Sequence, residues 1–123
     1  MELELLDDTF TIHRLNPSAR IPDEVFDEAF FNIVKTEDEL SIVCRNSLTL
    51  NSEQCNRSWS CIKVSGPLEL NTTGILAKLS KVLAEARISI FAISTYDTDY
   101  VLLKADKATD AVAALNAAGF RFI

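Results

Sequence analysis

The stretch TGILAKLSKVLAEARISIFAISTYDTDYVLLK, residues 73–104, changes its hydrophobic period midway. Up to Ala86 the residues Ile75, Leu76, Leu79, Val82, Leu83 and Ala86 form one apolar stripe. That i, i+1, i+4, i+7, i+8, i+11 spacing lines one face of a helix. Lys78, Lys81, Glu85 and Arg87 flank the stripe. From residue 88 the pattern turns β-branched and aromatic. Ile88–Thr95 and Asp99–Lys104 read as two strands, and the polar Tyr96-Asp97-Thr98 between them reads as the turn of a hairpin.

Working outward, Trp59–Ser65 is a strand candidate stopped by Gly66-Pro67. The loop 68–73 follows, with Asn71, Thr72 or Thr73 able to cap the helix through a side-chain oxygen. Downstream, Asp106 is the expected cap of a second helix. Ala108, Ala111, Val112, Leu115 and Ala118 form its stripe, and Gly119 is placed to end it. Phe120–Ile123 is a last short strand. The order β-α-β-β-α-β over residues 58–123 is the split βαβ, ferredoxin-like unit, and the fold class is α+β with helices on one face of an antiparallel sheet.

The first half reads as a degenerate copy, giving two units, 1–57 and 58–123. Glu2–Leu6 and Phe10–Leu15 are strand-like on either side of Asp7-Asp8, and Phe30–Thr36 and Glu39–Cys44 form a hairpin. A shift of about 60 residues lays Ile33–Val43 over Ile93–Leu103, an internal repeat. A first helix is missing from the copy: Pro17 and Pro22 break the chain, leaving Asp23–Ala29 for one turn. Leu50–Ser58 reads as a polar linker. Ile88, Ile90 and Ala92 lie on one face of their strand and Phe91 and Ile93 on the other, so the face away from the helices needs cover from the first half or from a second chain.

The 123 residues are 48% hydrophobic and 24% charged, with a net charge of −6, a globular composition. The negative balance disfavours nucleic acid and anionic membrane surfaces as partners. The acidic opening Met1–Asp8 lacks the pattern of a secretory leader, and three cysteines without CxxC spacing fit reduced thiols, so a cytoplasmic location is expected. His13 is the one histidine, and no cluster has metal-ligand spacing. Gly66 and Gly74 do not make a phosphate loop. With no visible nucleophile and base, the chain is expected to be no enzyme and to hold no cofactor and no metal.

The segment Gly66–Thr95, with Gly74-Ile75, Leu83-Ala-Glu-Ala86 and Ile88-Ser-Ile90 leading to Ile93-Ser-Thr95, resembles an ACT domain. Its continuation Ser94–Lys104 is similar to the tandem ACT pairs of the CASTOR-type arginine sensors and their bacterial relatives, and to the regulatory ACT pairs of aspartokinases. The opening Met1–Leu6 and the hairpin Phe30–Val43 extend the resemblance. It implies two ACT units, the first degenerate, and sensing of a small molecule, commonly an amino acid, at an interface between units. Ser89 and Ile90 would offer backbone groups from one unit. Asn71, Thr72, Thr73, Gly74 and Ile75, with Asp99, would come from the facing one, and Thr95 and Tyr96 would line the side-chain pocket. The helix-opening loop suits a carboxylate, and Asp99 suits an ammonium or guanidinium. The plainer reading also stands: Asn71 and Thr72 only cap, Gly74 only turns and Asp99 only ends a turn. The chain has one half of such a sensor, so a complete site implies a homodimer, with output passed to a separate effector protein. The alternative function is a scaffold of the same fold without a ligand.

Overall fold

A computed structural model describes residues 2–65 and 74–123. It contains eight strands and two α-helices among those residues, a mixed α+β fold. The chain divides into two compact units, Met1–Asp7 with Ser60–Ile123, and Asp8–Trp59. The expected division at residue 57 had assigned the first strand to the N-terminal unit; it belongs instead with the C-terminal one.

In the C-terminal unit the elements are β1 (Glu2–Leu5), the second half of β5 (Gln54–Val64), α1 (Ile75–Glu85), β6 (Phe91–Ser94), β7 (Asp99–Lys104), α2 (Ala108–Ala117) and β8 (Arg121–Phe122). Strand order is β6-β7-β5-β1-β8. The β1–β5 and β6–β7 ladders are antiparallel, as expected, and β1 also pairs with β8 in parallel. β1 joins this unit because its register places Leu3 opposite Val64 and Leu5 opposite Ile62. Leu3 thereby becomes part of a core with Ile62, Val64, Leu79, Leu83, Val101, Leu103 and Leu115.

α1 packs its predicted stripe onto that core. Leu79 and Leu83 are fully buried, while Ile75, Leu76 and Val82 are partly buried against it. Each of the two leucines contributes about 1.5–3 kcal/mol by leaving water. The helix follows Gly74, which holds the N-cap position at φ 87° and accepts from Lys78 N–H through its carbonyl. Asn71, Thr72 and Thr73 lie outside the described residues. It ends in a Schellman motif, with Arg87 N–H donating to Ala84 O and Ile88 N–H to Leu83 O. Spending the Ile88 amide on that cap delays the strand expected from residue 88, so β6 starts at Phe91. Asp106 does not cap α2: it lies in a 3₁₀ turn, Ala105–Lys107, and Lys107 takes the cap position. Gly119, at φ 98°, closes α2 as expected.

The unit Asp8–Trp59 holds β2 (Phe10–Leu15), β3 (Asn32–Lys35), β4 (Leu40–Arg45) and the first half of β5, in the order β3-β4-β2-β5. Residues Gln54–Ser58, expected as linker, are strand. Their side chains are exposed, so the segment is held by its backbone ladder to β2 and leaves no apolar alternation in the sequence. A 3₁₀ turn, Asp23–Asp27, stands where a first helix would be, and its Val25 seals a core of Leu15, Leu40, Ile42, Cys44 and Leu50. The β3–β4 and β6–β7 hairpins share one closure. Thr36 N–H donates to Glu39 O at 2.9 Å and Thr95 N–H to Thr98 O at 2.8 Å. The repeat is therefore visible in geometry, but Thr36 matches Thr95, not the Tyr96 that the sequence offset implied.

Candidate functional site

The edge strand β6 and the outward side of α1 frame the candidate site. A groove of about 630 Å³ runs along Ala77, Ser80, Lys81 and Ala84 of α1 and the connection Arg87–Ile90. Small side chains on α1 make room for it. The Ser80 hydroxyl folds back to donate to Ala77 O at 3.1 Å, which draws it in toward the helix backbone. Ser89 and Ile90 precede the β6 ladder, which begins at Phe91. Ser89 is exposed, while Ile90 is half-buried against the core.

Register extends this open surface along the sheet edge. Ala92 pairs with Val101 and Ser94 with Asp99, so these side chains share the face that carries the core residue Val101. Ala92 and Ser94 are nevertheless exposed, and the strip ends at Asp99, which is half-buried. Asp99 is held in place because the Ser94 hydroxyl donates to its Oδ1 at 2.7 Å.

Thr95 and Tyr96 sit in the turn. Thr95 Oγ1 donates to Thr98 O at 3.0 Å and accepts from Thr98 N–H, so its hydroxyl is engaged in the turn. Tyr96 is 80% exposed. Thr98 itself is buried, and its hydroxyl donates to Val64 O at 2.7 Å. That bond fixes the hairpin against the end of β5, the strand that leads into the helix-opening loop. Thr98 was not singled out from the sequence, where it reads as one more turn residue.

Of the expected site residues, Ser89 and Ile90 line the groove; Gly74, Ile75, Thr95, Tyr96 and Asp99 do not. Gly74 and Ile75 stand at the start of α1, and a Cβ built on Gly74 meets no atom of the described residues within 4 Å. Lys81 and Arg87 are groove residues that sequence reasoning passed over, because on α1 they read as a solvated flank. Among the described residues no His, Cys, Asp and Glu group is placed to hold a metal ion, and no helix is long and apolar enough to cross a membrane.

A family model for the ACT domain matches residues 54–117, and a second model, for an N-terminal domain, matches residues 8–48. Among solved structures, a protein of Agobacterium tumefaciens is 32% identical, with 99% of this chain and 91% of that one covered and a TM-score of 0.91. A possible transport protein of Vibrio cholerae is 21% identical over 94% of this chain and 88% of its own, with a TM-score of 0.71. The regulatory subunit of aspartate kinase from Thermus flavus has the same fold at 14% identity, covering 96% and 97% of the two chains with a TM-score of 0.68. A search of curated proteins gives no match.

Proposed function

The chain belongs to the ACT-domain family, and from that premise we propose that it is a non-catalytic regulatory module binding a small metabolite, an amino acid, where two ACT units meet. The observation that carries the reading is the open strip from the α1 groove, past Ser89 and Ile90, along Ala92 to the tethered Asp99. It combines backbone groups outside a ladder, small side chains and one carboxylate, the complement of a small zwitterion. An α-ammonium suits Asp99. An α-carboxylate suits the start of α1 at Gly74 and Ile75, the positive end of the helix dipole. Asn71, Thr72, Thr73, Thr95 and Tyr96 complete the proposed set.

The strip forms only part of an enclosure for a ligand. By its resemblance to the CASTOR-type sensors, Ser89 and Ile90 of one unit face the helix-opening loop and Asp99 of another, and a homodimer would supply both. The fold shared with an aspartate kinase regulatory subunit supports a regulatory role. A ligand held between two copies favours their association by mass action. Its occupancy would then be read by a separate effector protein in the cytoplasm.

The test is a thermal-shift panel of the twenty L-amino acids at millimolar concentration. A ligand at about 100 times its Kd adds about 2.7 kcal/mol, several degrees for a chain of this size. A selective shift that Asp99→Ala abolishes supports sensing. The absence of any shift, with the Asp99→Ala protein folded and unchanged, favours a scaffold.

A further inference from the structure

We infer that the α1 groove selects an amino acid with a second anionic group, a dicarboxylic one, through the cations Lys81 and Arg87; this rests on the ligand-binding reading above. Both residues line the groove, and no acidic side chain lines it with them. Neither has an ion pair among the described residues. Lys78, one turn away, differs: its ammonium lies over the Phe120 ring, 5.1 Å from the centroid. A chain of net charge −6 thus gathers two uncompensated cations beside Ser89 and Ile90.

The backbone at Arg87 supplies the second, independent observation. α1 and α2 end in the same Schellman closure: Ile88 N–H donates to Leu83 O in one, Phe120 N–H to Leu115 O in the other. The left-handed residue is Gly119 in α2, at φ 98°, and Arg87 in α1, at φ 60°. Glycine meets that conformation without strain and a residue with a Cβ does not. Strained non-glycine backbone gathers at ligand clamps, where the side chain has a task that glycine lacks. Here that side chain is a planar guanidinium at the rim of a groove with a small-residue floor. Its paired N–H donors fit both oxygens of a carboxylate, with the Lys81 ammonium as a second charge. The ligand's α-ammonium and α-carboxylate remain for Asp99 and the start of α1 of the facing unit, because the two ends of one α1, 11 residues long, lie too far apart for a single amino acid to bridge.

Calorimetric titration of the intact chain with L-glutamate, L-aspartate, L-glutamine and L-asparagine tests this. The expected result is that one dicarboxylic acid binds at least tenfold tighter than its amide. Arg87→Gly, which keeps the helix stop and relieves its strain, should show an equal or higher Tm yet lose at least tenfold in that affinity. Lys81→Ala should weaken binding, and Arg87→Lys should restore part of what Arg87→Gly loses. Equal binding of acid and amide, or wild-type affinity in Arg87→Gly, overturns the inference. If a neutral or basic amino acid binds while the acids do not, only this inference fails. If none of the twenty binds, the ligand-binding reading fails with it.

Discussion

Single side chains set the acid sensitivity of the Asp8–Trp59 unit. His13 is 3% exposed; its Nδ1 lies 2.9 Å from Ser52 Oγ, and its Nε2 is buried with no hydrogen-bond partner among the described residues. Burial, helped by the nearby Arg57, holds its pKa below the ordinary 6.5. The unfolded chain therefore takes up the proton first, and stability falls as pH drops through 6.5 toward the lower folded value. Glu28 acts in a second window. Its carboxylate accepts from the Arg45 guanidinium at 2.9 Å, and that bonding lowers its pKa from 4.5, so its contribution is lost as pH falls below that value. Melting curves from pH 7.5 to 5.5 should show a decline in Tm that His13→Gln flattens; parallel curves for the two proteins would refute the assignment. Thiols at the same scale separate by burial. Cys44 is pushed up to about 11 and Cys61 to about 12 by desolvation, whereas Cys55 is exposed. Alkylation of the native protein at pH 8 should modify Cys55 alone, with Cys44 and Cys61 reacting only on unfolding. Rapid labelling of all three would contradict the buried placement.

At the scale of elements, periodicity made α1 and the β6–β7 hairpin legible, because each presents its apolar residues at a spacing that only one structure can bury. β7 occupies the span expected of it, Asp99–Lys104. What the sequence could not show was partnership. Glu2–Leu5 looks like a strand from its own residues, yet nothing local says that it pairs with β5 and β8 rather than within the N-terminal half. Gln54–Ser58 was invisible as strand for the opposite reason, since a ladder between backbones needs no apolar side chain. Likewise at the site: Ser89, Ile90 and Asp99 could be singled out from the resemblance. Lys81 and Arg87 could not, because a groove-lining cation and a solvated one occupy the same helical positions. The β1 assignment carries a prediction. Leu3→Ala should cost about 2–5 kcal/mol and speed hydrogen exchange in Cys61–Val64 and around β8, leaving β3–β4 protected. A loss confined to β2, β3 and β4 would place the first strand with the other unit after all.

The chain carries an ACT domain and, along β6, an exposed sheet edge. The groove on α1, the exposed side of β6 and Asp99 all belong to the C-terminal unit, and the function proposed depends on a ligand held between two copies of that unit. Thr98 bears on this at the same scale: its bond to Val64 O fixes the turn beside Asp99 to β5. The most direct test is a two-dimensional ¹H–¹⁵N NMR titration of the 13.7 kDa chain with the amino acid that gives the largest thermal shift. The predicted result is a saturable set of perturbed amides at Gly74–Ile75, Ser89–Ile90 and Thr95–Asp99, with the amides of β3 and β4 unmoved. Perturbations confined to Asp8–Trp59, or none at saturating ligand, would contradict it.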